Sequence, residues 1–397
     1  MPSDFLIVGG GIGGLVLAEL LGRAGKRVVV LEKSTGAPPW NRPEILWPAT
    51  IELLTSLMPA AKWHERAAVP LAGVKIRTQS GFNWGISPDL LAGIGVHPWS
   101  TDPNQSRELL MTLGSFELRR GVQVESILKE RGRIIGARTR NLASGQECDW
   151  LADLTIGDDG AHSLVRAACG IELVMRTFPR DFLCFECPWP TSFQPDAGHV
   201  WPNQLRPLSG ILAVGILPEP GGRGVGVAPI RPDLAGDDPR AREGWRALVE
   251  SDPTLASILG GRTFPAGFQR VRRPWGHARQ YGAPGALVMG DAAHPVSPAG
   301  GQGANMSIAD GRAIAEVVLA SNADLRRRDL LAAYERLRRP ANRRSLWFTR
   351  GAARVLGLPE WLLPTPLLFR LVGLFGSRRW LLSQFVRVAA TAFVARQ

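Results

Sequence analysis

Four cysteines in 397 residues are too few to make a disulfide scaffold. No stretch approaches ~18 consecutive apolar residues, so a membrane-spanning helix is not expected. The chain opens on MPSDFLIVGG, an apolar strand pattern with no basic leader or cleavage signal, and a reducing cytoplasm is the expected compartment. Only two tyrosines occur, Tyr281 and Tyr334, which makes a tyrosine proton relay a poor expectation; the pattern around Tyr334 reads as a surface helix. No second His or Cys lies at ligand spacing from His294, and no metal is expected. Acid is scarce as well: the net charge is +12. Such an excess attracts nucleic acid, membrane surfaces or anionic small molecules.

What remains is an ordinary globular composition, 45% hydrophobic and 21% charged, long enough for two or three cores. Residues 5–32, FLIVGGGIGGLVLAELLGRAGKRVVVLE, read as strand, glycine turn, helix and second strand. Gly9, Gly11 and Gly14 fit G-x-G-x-x-G, and Glu32 falls about 20 residues later. Gly9 permits a tight turn, Gly11 lets a pyrophosphate approach the backbone, and Gly14 lets the helix pack close to the strand. The helix N-terminus presents free N–H groups to phosphates, and Glu32 can accept from a ribose. Gly13 and Lys33 count with this site. A dinucleotide is therefore expected, and no second fingerprint of this kind follows. A nicotinamide cofactor would have to bind elsewhere.

Two later segments carry more. LTIGDDGAHSLVR, residues 154–166, runs from an apolar strand into Asp159, Gly160, Ser163 and Arg166. GDAAHPVSPAGGQGANMSIAD, residues 290–310, holds Asp291, His294, Pro298, Gly301, Gly303, Ala304 and Asn305 before a helical pattern. With the glycine turn, these resemble the three signatures of group A flavoprotein monooxygenases, the para-hydroxybenzoate hydroxylase family. Arg107 in SRELLMTL and YERLRRPANRR at 334–344 are looser matches, and the resemblance spans about residues 4 to 345. It implies an α/β fold: a Rossmann-type FAD-binding domain interleaved with an antiparallel β-sheet substrate domain, plus C-terminal helices. The expected division is 1–72, 100–173 and 281–345 for FAD, 73–99 and 174–280 for substrate, and 346–397 for the helices.

The resemblance also implies roles. Non-covalent FAD spans both turns, with Asp291 on the ribityl chain and the helix from Gly303 aimed at the flavin, where its positive end favours a reduced ring. Pro298 lies against the reacting face. Asp159 braces the pyrophosphate region, and Arg42 and Arg107 reach phosphates or the flavin loop. His294 reads as a loop-organising residue rather than a catalytic one. NADH or NADPH reduces the flavin, and a flavin hydroperoxide delivers one oxygen atom to a lipophilic aromatic compound. No catalytic base stands out. The alternatives are a flavin reductase of the geranylgeranyl reductase type and a non-catalytic FAD-binding accessory protein; the halogenase motif W-x-W-x-I-P is absent.

Within residues 174–280, DFLCFECPW, GHVWP, SGILAVGIL and GVGVAPI read as strands of one antiparallel sheet. Phe182, Trp189, Trp201, Ile211 and Ala213 are the candidates to line a ring pocket, against plain core packing as the competing reading. Cys184 and Cys187 mimic C-x-x-C, but in a strand they point to opposite faces and read as structural thiols. From Arg343 onward the chain has nine arginines, no lysine and one acid, Glu360, among dense apolar residues. That basic amphipathic pattern fits an anionic membrane face better than nucleic acid, with packing against the FAD domain as the alternative.

Overall fold

The computed structural model describes residues 3–39, 41–77, 83–93, 95–202, 210–233, 238–262, 264, 267–272, 274–296, 298, 301–320, 329–356, 380 and 383. Two sheets organise the chain. The first has eight strands, with the path Gly282–Ala283, Ala286–Val288, Glu147–Gly157, Ser3–Val8, Val28–Glu32 and Glu117–Arg120. From Ala286–Val288 to Glu117–Arg120 every neighbouring pair is parallel. A sheet covered on both faces needs unbroken apolar runs. Val28–Glu32 is buried at all five positions, and Ser3–Val8 at five of six. The second strand carries Glu32 as its last residue. Arg27 stays outside it and pairs with Asp4 at the surface.

The helix Ile12–Arg23 packs tightly against the helix Gly303–Ala320. Gly13 and Gly311 make this possible, because a Cβ at Gly13 would lie 2.4 Å from the Ser307 carbonyl oxygen, and one at Gly311 would lie 2.5 Å from the Gly13 carbonyl oxygen. The long helix Asp329–Leu356 follows. Tyr334, expected at the surface, is wholly buried on it, with its hydroxyl donating to the Val288 carbonyl oxygen at 3.3 Å. Tyr334 lies on the side of this helix that packs against the helix Gly303–Ala320 and Val288, although basic residues surround it in the sequence. Beyond Leu356 the expected C-terminal helices lie outside the described residues, Trp380 and Ser383 apart.

The second sheet has seven strands, in the order Gln269–Val271, Asp181–Pro188, Arg223–Ile230, Ala213–Glu219, Ala197–Pro202, Gly73–Arg77 and Asn83–Ile86. The four strands read from sequence all belong to it. One pairing departs from the antiparallel expectation: Ala197–Pro202 runs parallel to Gly73–Arg77, where segments far apart in the chain meet. A separate core lies on one face of this sheet, where Leu183, Phe185, Val214 and Ile216 meet Trp245 and Leu255. A small three-stranded sheet, Glu44–Leu46, Trp99–Thr101 and Ala68–Pro70, links the two halves.

Candidate active site

The three sequence motifs sit at the carboxyl ends of three adjacent parallel strands. Ser3–Val8 leads into the glycine turn, Glu147–Gly157 into Asp158 and Asp159, and Ala286–Val288 into Gly290 and Asp291. Backbone bonds hold the ends level: Asp158 N–H donates to Val8, and Met289 N–H donates to Gly157. This edge is where open α/β sheets take their ligands.

Asp158 is the hub, and the sequence reading passed over it in favour of its neighbour. Its Oδ2 accepts from Gly14 N–H at 2.9 Å. A Cβ on Gly11 would lie 2.2 Å from the same oxygen, one on Gly9 would lie 2.3 Å from the Asp158 carbonyl oxygen, and one on Gly290 would lie 2.9 Å from Asp158 Oδ1. Gly9 also has φ +100° and Gly290 φ +55°, conformations that favour glycine. Burial pushes the Asp158 carboxyl well above the usual carboxylate range, and Asp291, Asp159 and Asp310 add to it. Asp159 turns instead to the short helix Leu164–Ala168, accepting from Leu164 N–H at 2.7 Å. Its Oδ1 is buried without a hydrogen-bond partner among the described residues.

The helix Ile12–Arg23 has Gly11 at its N-cap and no side-chain cap. The N–H groups of Ile12 and Gly13 therefore remain for a ligand, as a pyrophosphate requires, while that of Gly14 is held by Asp158. Glu32 accepts from Gly10 N–H at 2.8 Å and Ser34 N–H at 2.7 Å. Arg107 donates to the Gly10 carbonyl oxygen at 2.8 Å and lies 3.6 Å from Glu32. Lys33 is exposed. The local structure fits the phosphate and adenosine end of FAD.

At the other end, Asn305 is fully buried and ties the start of its helix to the strand Glu44–Leu46. It donates to the Ile45 carbonyl oxygen at 2.8 Å and to Gly301 at 3.0 Å, and accepts from Trp47 N–H at 3.0 Å. Gly301, φ +62°, packs beside Ile45. Gly303 and Ala304 are half-buried at the helix start, Asp291 is half-buried, and Pro298 is exposed. Arg42 is half-buried near Glu44, and its backbone N–H is held by Asn41 Oδ1.

His294 is locked rather than poised. Its Nε2 lies 2.5 Å from Asp310 Oδ2, and both side chains are buried. Asp310 also accepts from Arg338 at 2.8 Å, Asn342 at 3.1 Å and Gly290 N–H at 3.1 Å. Burial opposes the Asp310 charge, but His294 and Arg338 outweigh it and hold the carboxyl well below its usual range. Arg338 and Asn342 fall in the YERLRRPANRR segment, the signal that could have found them.

Across the gap, strand register puts Phe182, Cys184, Val225, Val227, Gly215, Leu217 and Glu219 on one face of the second sheet. Ala213 shares it. Glu219 crosses to the other half, accepting from Asn41 Nδ2 at 2.7 Å, while neighbouring Arg223 reaches Asp102 at 3.1 Å. Burial pushes Glu219 up to about 8, with Asp102 adding to it and Arg223 opposing. Phe182 stacks on Phe178 and packs against Trp275. Trp201 and Ile211 turn to the opposite face, into the core with Trp245, and Trp189 packs edge-on to Phe193 beside it. The aromatic character of these residues did not reveal which face they take. Cys187 is in that core too, pushed up to about 11 by burial, an inert thiol.

The chain is 27% identical over 380 residues to 6-methylpretetramide 4-monooxygenase of Streptomyces rimosus, covering 86% of this chain and 82% of the relative. It is 26% identical to an FAD-dependent monooxygenase of Emericella nidulans, of which it spans 60%. Among solved structures, p-nitrophenol 4-monooxygenase from Pseudomonas putida superposes with TM-score 0.75 at 20% identity, over 98% of each chain. A Pseudomonas aeruginosa protein solved with 2-aminobenzoylacetate gives 0.73 at 23% identity, over 90% of this chain and 97% of that one. These likenesses agree on the fold. The FAD binding domain family matches residues 3–349, and the chain belongs to that family.

Proposed function

We propose that the protein is an FAD-dependent monooxygenase that uses NADH or NADPH and O2 to hydroxylate or epoxidise a lipophilic aromatic compound. The observation that carries this reading is the alignment of three motifs on one sheet edge, facing an apolar sheet wall across the small linking sheet. FAD, when bound, supplies the redox chemistry and the activation of oxygen. The first-turn N–H groups of the helix Ile12–Arg23, with Gly9, Gly11, Glu32 and Arg107, hold its adenosine and phosphates. Asp291, Pro298, Gly301, Gly303, Ala304 and Asn305 frame its flavin end, and Asn305 fixes the strand beside it. Phe182, Leu217, Val225 and Val227 supply an apolar wall that excludes water and receives a ring. Residues 1–72, 100–173 and 281–345 are assigned to FAD, and 73–99 and 174–280 to substrate. The arginine-rich segment after residue 345 is assigned a peripheral contact with an anionic membrane.

The relatives' names support the reaction class: they are a 6-methylpretetramide 4-monooxygenase and a p-nitrophenol 4-monooxygenase. The test is oxygen uptake by purified holoenzyme with candidate aromatic compounds, matched to NAD(P)H oxidation and to a product heavier by one oxygen atom. Turnover that continues without oxygen identifies a reductase. No turnover with any compound, despite bound FAD, identifies an accessory protein.

A further inference from the structure

A cleft of about 730 Å³ opens between the segment Val174 to Arg176, the strand Pro274–Trp275 and the long helix Asp329–Leu356. Among the described residues four arginines line it, Arg176, Arg343, Arg344 and Arg350, and no acid does. Arg176 and Arg350 lie over the Trp275 ring, at 5.6 and 5.8 Å from its centroid. Among the described residues none of the four guanidiniums is paired with a carboxylate, whereas Arg338 and Arg339 on the same helix are. Around them the surface is unusually apolar: Trp347 is 74% exposed and Val174 58%. Exposed aromatics of this size, rimmed by cations, mark an interaction face.

Charge decides the occupant. A second copy of the chain would set the same cations against themselves. The segment after Leu356 carries five arginines and one acid, so its charge does not complement this cleft either. A surface that is negative and apolar at once satisfies both halves of the patch. Tryptophan settles at the headgroup level of a bilayer, and arginine stems lie along apolar surface while their heads reach phosphate. No helix among the described residues is long and apolar enough to cross a membrane, so the contact is peripheral. We propose that this cleft is a docking face for an anionic lipid surface, with Trp347 and Val174 entering the headgroup layer and the four arginines meeting lipid phosphates. This extends the membrane contact assigned to the C-terminal segment, and it places the contact on the folded body. Gly276 N–H donates to Pro295 at 2.9 Å, so the docking face backs directly onto the segment between His294 and Pro298.

The test is sedimentation of full-length holoenzyme with phosphatidylglycerol-containing vesicles and with pure phosphatidylcholine vesicles. Binding is expected on the anionic vesicles, weakening with salt. Each arginine near such a surface contributes about fivefold, so Arg343→Gln/Arg344→Gln should lower partition about 25-fold. Among the described residues neither side chain has a partner to lose, and FAD content and thermal stability should stay at the wild-type level. Trp347→Ser should weaken binding as well. Arg378→Glu/Arg379→Glu, in the C-terminal segment, separates the two contacts. If it alone abolishes binding while Arg343→Gln/Arg344→Gln has no effect, the docking face is wrong. Equal binding to neutral vesicles, or equal retention on DNA of matched charge, overturns the lipid assignment. None of these readouts needs turnover, so a failed oxygenase assay leaves them intact.

Discussion

Gly13→Ala gives a result whose sign is diagnostic. Gly13 lies in the first turn of the helix Ile12–Arg23, where alanine would ordinarily stabilise by roughly 0.5–1 kcal/mol. In this fold the new methyl would stand 2.2 Å from Ser307 Oγ and 2.4 Å from the Ser307 carbonyl oxygen. The hydroxyl can rotate away. The carbonyl cannot, because it belongs to the helix Gly303–Ala320. An ordinary contact begins at 3.4 Å, so the helices must part by 3.4 − 2.4 = 1.0 Å. Overpacking of this kind costs about 1–3 kcal/mol, more than the helix propensity returns. Parting the helices also moves the first-turn N–H groups away from Asp291, and the proposed reading puts the two ends of FAD at these two places. Urea unfolding of apoprotein should show lower stability, and titration should show FAD affinity weaker by about tenfold, equivalent to about 1.4 kcal/mol. Adding Ser307→Ala should not rescue either, because the carbonyl remains. An alanine variant as stable as wild type or more so, with unchanged FAD affinity, would refute the helix contact.

Asp291→Ala should weaken FAD binding while leaving apoprotein stability nearly unchanged, as measured by titration and thermal unfolding. Asp310→Asn should destabilise by about 3–5 kcal/mol, because it leaves the buried charge of Arg338 without its carboxylate partner. Asp310 is held below its usual value of 3.8, so its contribution is present above about pH 4 and lost as pH falls further. Chemical denaturation at pH 7 and pH 3 checks both statements. Glu219 behaves oppositely. Its folded value of about 8 lies above the ordinary 4.5, so its burial costs stability as pH rises through that interval, at most roughly 1.4 kcal/mol per pH unit. Glu219→Gln should exceed wild type in stability at pH 9 and match it near pH 4; a constant difference across pH would refute the assignment.

Local signals carried much of this molecule. The glycines, Glu32 and the helix after Gly303 are encoded within short windows, because a turn and a helix start impose their own residue types. Burial at Val28–Glu32 follows from an unbroken apolar run. What the sequence concealed depends on chain segments far apart. Asp158 and Asp159 are adjacent and chemically identical, and only the bend after Gly157 decides that Asp158 meets the glycine turn. Asp310 reads as one acid on a long helix until the fold brings Arg338 and His294 to it. Glu219 and Asn41 are separated by 178 residues. Trp201 and Phe182 look alike as strand aromatics, and register alone sends them to opposite faces. Tyr334 was hidden by the basic residues around it, of which Arg336 is exposed while Arg338 is buried with it.

A crystal structure of the protein with FAD tests the central claim most directly. The account predicts the pyrophosphate at the N–H groups of Ile12 and Gly13, the ribityl chain beside Asp291, and the flavin ring between Ile45 and Pro298. An FAD molecule that touches the glycine turn yet leaves Asp291 and Gly301 bare, or that lies away from the carboxyl ends of these three strands, would contradict it.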